Sequence, residues 1–217
     1  MAKEYRGGRR GGGKTTVQNN RTGLQPDAIS SQPQLTPDAT SVSPIEKAIG
    51  KIGAPQSPDA AVRASNPNKF RRNCQRCIIA YELNRRGYDV EALQNPDDGS
   101  AKMSTPNSFI TAFGMDKYDV SFVEHGYKPT ATELKQAILS NNPTNARGFL
   151  AMGNFGTSGH VISYEIINGK LFFNDPQTGK MARTASELVK KYTIFQYART
   201  DDKTIQDNIG NFVKKRQ

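Results

Sequence analysis

Apolar residues fall into two regimes along the chain. From residue 1 to about 60 they stand singly among Gly, Pro, Ser and Thr, as in RGGRRGGGKTT and SSQPQLTPDATSVSPIEKAIGKIGAPQSPDA, with neither helical spacing nor strand alternation. Such a stretch cannot bury enough surface to offset its chain entropy. Residues 1–60 are therefore predicted to be a disordered arm, in which only SPIEKAIGKIG could form a helical turn or two on docking.

From about residue 65 the pattern becomes regular. Asn73 stands as a cap before apolar Cys77, Ile78, Tyr81 and Leu83, and the run closes on Arg85, Arg86 and Gly87, a basic last turn with a glycine stop. YDVEAL reads as a short strand, Thr105-Pro106 opens a helix ending near Gly114, and YDVSFVE reads as a strand. Thr130 with Glu133 is a capping box opening TELKQAILS, and GFLAMGNF is an apolar strand. The sharpest local signal is HVISYEIINGKLFFNDPQTG, two strands around Asn168-Gly169, the dipeptide favoured in two-residue hairpin loops. Thr184 with Glu187 caps another helix, TIFQYAR is a last strand, and residues 201–217 form a terminal helix or tail. Early helices, late strands and no regular βαβ alternation predict an α+β domain over 65–200 with an antiparallel sheet.

Composition fits a domain with an arm better than a fully packed globule. Only 35% of the 217 residues are hydrophobic, and Gly and Pro supply 19 and 12 positions. The net charge of +10 is uneven: residues 1–22 carry six basic groups and one acid, residues 23–60 are net −2, and residues 61–217 are net +7. No run of 18 apolar residues offers a membrane span, and MAKEYRGGRR lacks the apolar centre of a secretory signal, so the product is expected to be soluble, in the cytoplasm of the producing or the host cell. Cys74 and Cys77 are the whole thiol inventory, which suits a reducing compartment and excludes a disulfide-stapled scaffold.

Gly8, Gly13, Lys14 and Thr15 match the phosphate-loop formula letter for letter. That chemistry needs a strand before the loop and a helix after it, and neither is present, so nucleotide hydrolysis is set aside. The same segment reads either as a nucleic-acid-binding arm, with Arg6, Arg9, Arg10 and Lys14 neutralising phosphates, or as a solubilising tail.

Cys74 directly follows the cap Asn73, at the positive end of a helix dipole that favours a thiolate, and Cys77 one turn on can pack as a small hydrophobe. In the hairpin, Ile167 opposite Lys170 sets His160 opposite Gln177 and Ile162 opposite Asp175, all on one face. Asp175 then lies diagonal to His160, where its carboxylate can orient the imidazole while the other ring nitrogen takes a thiol proton. Gln177 could orient the ring or donate to a substrate carbonyl. Gly156 and Gly159 leave the approach to His160 open. His125 reads as a surface or supporting histidine. A zinc site of Cys74, Cys77, His125 and His160 would have unusually dispersed ligands, and a CxxC redox pair lacks the preceding apolar strand, so neither a metal nor a cofactor is expected.

RRNCQRCIIAYELNRRGYDVEAL, taken with GTSGHVISYEIINGKLFFNDPQTGK, resembles the papain-fold toxin domain family known as Tox-PL, of the glutamine deamidase type, over roughly residues 70–180. The resemblance implies a papain-like fold with Cys74 as nucleophile, His160 as base, Asp175 as orienting acid and Gln177 in the DPQ triplet. It also implies attack on a carboxamide, loss of ammonia and hydrolysis of a thioester. The papain-like oxyanion position, six residues before the nucleophile, falls on Asn68, with the Cys74 backbone amide as the other donor. Such domains occur at the ends of secreted polymorphic toxins or attached to phage head proteins. The implied partners are a target protein bearing a reactive glutamine and an immunity or delivery protein, and the implied setting includes a virion. The competing functions are a papain-like cysteine protease, a non-enzymatic virion-associated structural protein and a nucleic-acid-binding accessory protein.

Overall fold

The computed structural model describes residues 42–96, 107–123, 128–157 and 159–217. In chain order these form α1 (Pro44–Ile49), α2 (Pro58–Ser65), α3 (Cys74–Arg85), β1 (Val90–Ala92), α4 (Asn107–Phe113), β2 (Ser121–Phe122), α5 (Ala131–Ser140), β3 (Arg147–Gly153), β4 (His160–Ile167), β5 (Lys170–Asp175), β6 (Lys180–Arg183), α6 (Ala185–Lys191), β7 (Ile194–Arg199) and β8 (Val213–Lys215). The class is α+β with antiparallel sheets. Among the described residues the strands make a six-stranded sheet in the order β2-β7-β3-β4-β5-β6 and a two-stranded ribbon of β1 with β8. No described helix is long and apolar enough to cross a membrane.

Strand alternation divides the core into two layers. On β3 and β4, Phe149 and Val161 face a cluster with Cys77, Ile78 and Leu83 of α3, while Leu150 and Ile162 face Leu134 and Ile138 of α5 and Leu188 of α6. The sheet is thus covered by α3 on one side and by α5 and α6 on the other. The two later helices carry the capping boxes expected from sequence: Thr130 accepts from Glu133 N–H and Thr184 from Glu187 N–H, each at 3.2 Å.

Helix α3 is central: every residue from Arg76 to Asn84 is buried. Most of its polar groups are therefore paired, with Arg76 Nε the exception. Glu82 binds Arg86 at 2.8 Å and Arg147 at 3.0 Å, and Glu165 of β4 accepts from Tyr81 at 2.8 Å and Arg85 at 2.6 Å. Gly87 ends the helix with φ of +103°, and a Cβ there would overlap the Gly53 carbonyl, so no other residue fits.

Three boundaries differ from the sequence expectation. The domain begins well before residue 60, within a compact unit spanning Thr40–Gln217. Helices α1 and α2 are each capped by a serine, Ser43 and Ser57, followed by a proline at the first helical position. Ile49 packs in the α3 cluster with Phe212 and Val213, and Ala61 and Val62 pack on Tyr81. Both helices are too short to show an apolar period, and each is held by long-range packing. Residues 201–217 are not an α-helix or a tail: a short 3-10 helix over Asp207–Asn211 leads into β8, which pairs with β1. YDVSFVE is broken by a 3-10 turn at Lys117–Asp119, where Asp116 and Asp119 form a capping box, leaving only β2 as strand. Residues 1–41, with Arg6, Arg9, Arg10 and Lys14, lie outside the described residues, as do Thr105, Pro106, His125 and Ser158.

Candidate functional site

The hairpin that carries two of the predicted side chains folds in the expected register. Asn168 and Gly169 take φ of +51° and +74°, as a two-residue hairpin turn requires, and the ladder runs from Ile167–Lys170 to Ser163–Asn174. It stops short of the Ile162–Asp175 pair. At Asp175 the chain leaves β4 for β6, with an irregularity between Phe173 and Asp175 in that second ladder, and Gln177 falls in the following turn rather than opposite His160. Asp175 still reaches His160 by its side chain: Nε2 of His160 lies 2.9 Å from Asp175 Oδ2. Cys74 also acts on the imidazole and raises its affinity for a proton, with Nδ1 the ring nitrogen that Asp175 leaves free to face it.

Cys74 is the first residue of α3 and is partly exposed, whereas Cys77 one turn later is fully buried. Cys74, His160 and Asp175 thus come together from three elements, at the start of a buried helix, the start of β4 and the end of β5. Burial opposes a charged ring at His160, but hydrogen bonds to Asp175 and Cys74, with the charges of both, outweigh it and push His160 from its ordinary 6.5 up to about 9. Burial likewise opposes ionisation of Asp175, yet the His160 hydrogen bond and charge and the Thr178 N–H hold it below the usual carboxylate value. The Cys77 thiol is driven far up, first by burial and then by Cys74 and Asp175. At neutral pH the ring therefore carries a proton between a carboxylate and a sulfur.

No family model, curated protein or solved structure matches the chain.

The helix start is capped from far along the chain. Asn73 makes no side-chain cap bond; its Nδ2 donates to Leu93 O at 3.2 Å. One corner of the Gln177 carboxamide instead lies 3.1, 2.9 and 3.1 Å from the backbone nitrogens of Arg72, Asn73 and Cys74. Three N–H donors, against one acceptor in Asn73 Oδ1 at 3.1 Å, make that corner the oxygen. Gln177 is therefore a cap that engages the Cys74 amide, and it does not orient His160.

Asn68 does not join the site. It is exposed, and its amide donates to Glu91 Oε1 at 3.2 Å. The asparagine that matters is Asn66, which sequence reasoning passed over: it accepts from Phe70 N–H at 3.1 Å and donates to Gln177 O at 2.9 Å, tying the segment before Cys74 to the turn after Asp175. Arg183 was also missed. Its Nη1 stands 3.6 Å from Asp175 Oδ2, a second cation on the carboxylate that orients His160. Only the Asp-Pro turn hinted at these contacts, because Thr178 N–H closes on Asp175 Oδ1 at 3.2 Å. Among the described residues no group of three or more His, Cys, Asp or Glu is placed to hold a metal ion.

A raised histidine makes stability depend on pH in a definite direction. Because the folded value of about 9 exceeds the unfolded 6.5, the stabilisation from His160 is complete below 6.5 and is lost as pH rises through about 9. Asp175, held low, stabilises above its unfolded value and ceases to do so as pH falls through the folded one. NMR titration of the ring should accordingly place the His160 midpoint near 9 in the wild type and well below that in Asp175→Asn, with His160→Gln used to assign the resonance. A wild-type midpoint near 6.5 would show that the ring is not held by Asp175 and Cys74.

Proposed function

We propose that this protein is a cysteine-dependent amidohydrolase that converts a glutamine carboxamide of a target protein to a carboxylate. One observation carries this: a half-buried cysteine at a helix start, a histidine that keeps its proton to about pH 9 and a buried aspartate 2.9 Å from that histidine stand in nucleophile, acid–base and orienting positions. The resemblance to the papain-fold toxin domains of the glutamine deamidase type assigns the same three residues to the same roles.

The chemistry follows from those positions. Cys74 sulfur attacks the carboxamide carbon, the C–O π pair moves onto oxygen, and His160 gives its proton to the amide nitrogen, which leaves as ammonia. The thioester so formed is opened by water, whose proton goes to His160, releasing the carboxylate and the sulfur. Asp175 keeps the ring oriented through both proton transfers. The Cys74 N–H engaged by Gln177 is the backbone donor nearest the sulfur, so an oxyanion forming there must share that amide with Gln177 or displace it.

Incubation with glutamine-containing polypeptides should release ammonia and add one dalton to the substrate, and iodoacetamide near pH 7 should label Cys74 far faster than buried Cys77. Cleavage of the substrate into fragments without ammonia would replace deamidation by proteolysis. Labelling confined to Cys77 would remove Cys74 as the nucleophile.

A further inference from the structure

Beside the triad lies an open cavity of about 570 Å³, walled by the segment from Asn66 to Arg72 and by the turn Pro176–Gly179. Its charges are all of one sign: Arg63, Lys69, Arg71 and Arg72 line it and no acidic residue does. Arg63 is already paired with Asp59. Lys69, Arg71 and Arg72 are exposed and make no ion pair among the described residues. Between these cations the lining is apolar, with Val62, Pro67, Phe70 and Pro176.

The cationic wall is held in place. Lys69 and Arg72 take φ of 54° and 66°, a conformation side-chain-bearing residues rarely adopt, and Asn66 and Gln177 fix it through their bonds to Phe70 and to the Arg72 N–H. The turn opposite is shared with the triad. Gln177 lines the cavity and holds the Cys74 N–H at 3.1 Å, and Thr178 lines it and donates to Asp175 at 3.2 Å. A ligand seated there is one residue removed from both the nucleophile and the orienting acid.

We propose that this cavity docks an acidic segment of the polypeptide substrate, next to the carboxamide that reaches Cys74; the proposal rests on the amidohydrolase function above. Three uncompensated cations attract carboxylates and set the register of the incoming chain. The apolar lining suits the aliphatic and aromatic side chains of a polypeptide, and the neighbouring chemistry acts on a group that polypeptides carry. Both features favour an acidic peptide over a phosphate backbone.

The test uses the full chain bearing Cys74→Ala, which binds without turnover, and a fluorescein-labelled peptide with one Gln flanked by Leu, Asp and Glu. Anisotropy should show this peptide binding at least about tenfold more tightly than a version with Ser in place of Asp and Glu, with the preference shrinking in high salt. Lys69→Glu with Arg71→Glu should abolish the preference without moving the thermal midpoint, since both side chains are exposed; Arg71→Gln alone should weaken it about threefold. A preference unchanged in the double variant overturns the proposal. So does a twenty-nucleotide oligothymidylate that binds more tightly than the acidic peptide and loses affinity with the same substitutions, which would give the cavity to nucleic acid. An acidic preference that depends on Lys69 and Arg71, with no ammonia released by the wild type from any peptide, would leave the docking site standing and overturn the amidohydrolase function alone.

Discussion

Replacing Cys74 by alanine is expected to lower ammonia release by at least about 10³-fold while leaving the fold intact. The other thiol cannot take over the attack, because Cys77 is fully buried and is driven far above the ordinary value. The fold should tolerate the change, since position 74 is only partly buried and alanine is the best helix former at the start of α3. The substitution also removes one of the groups that raise His160, so the ring should titrate lower in Cys74→Ala than in the wild type. Asp175→Asn should cost up to about 10⁴-fold, because an amide offers the ring no charge and leaves Arg183 facing a neutral group. Cys77→Ala should reduce stability rather than rate. Full activity in Cys74→Ala together with none in Cys77→Ala, read by ammonia release and by intact circular dichroism, would move the nucleophile one turn along α3.

Deletion of residues 1–56 is expected to destabilise the domain severely. Ile49 is about 1% exposed in the α3 cluster, with Ile45 packed against it. Large-to-small changes at such a position cost about 2–5 kcal/mol, so Ile49→Ala by itself should be plain in a urea melt. The deletion removes more. Gln56 N–H donates to Asn84 O at 3.1 Å, its side chain donates to Asn84 Oδ1 at 3.2 Å, and its carbonyl accepts from Arg85 Nη1. Without that carbonyl, Arg85 keeps only Glu165, and the end of α3 is opened to water. Against a typical total of about 5–15 kcal/mol, the sum is enough to leave the shortened chain largely unfolded at 37 °C. A thermal midpoint within a few degrees of the full chain would show that α1 and the segment after it are dispensable.

Residues close in sequence were read correctly where the physics is local. Capping boxes join positions three apart, and the Asn168-Gly169 turn fixes a register that then propagates by the pleat, so α5, α6 and the tip of the β4–β5 hairpin follow from short strings. The same propagation brought His160 and Asp175 to one face, although it carried the ladder three residues too far. Asp175 turns away toward β6 because the Asp-Pro-Gln-Thr-Gly segment closes on itself, with Gly179 N–H on Asp175 O at 2.9 Å. That closure sends Gln177 to the start of α3.

Asn73 and Asn68 failed for a related reason. A cap read from sequence assumes that the nearest polar side chain meets the free amides, whereas here a carboxamide more than a hundred residues later meets them. Asn68 fell at a family spacing, but its side chain pairs with Glu91 on the ribbon strand. Helix α1 was expected only as a turn or two within the arm, and α2 straddles the arm's expected end at residue 60, because a helix of six or eight residues has little period to display. Their serine caps and prolines were visible, yet only Phe212, Val213 and Tyr81, brought up from elsewhere in the chain, make those turns worth forming.

The sequence by itself determined the α+β class, the helix that begins at Cys74, the hairpin carrying His160 and Asp175, and the identity of those three residues as a group, because each depends on spacing within a few turns or strands. Tertiary structure alone decided where the domain begins, which amide caps the helix start, that Arg183 shares Asp175 with His160, and that Lys69, Arg71 and Arg72 line a cavity beside the DPQTG turn. Those outcomes depend on contacts between residues from eight to more than a hundred positions apart, and no local pattern of hydrophobic and polar positions records which segment fills an unsatisfied amide or an open core.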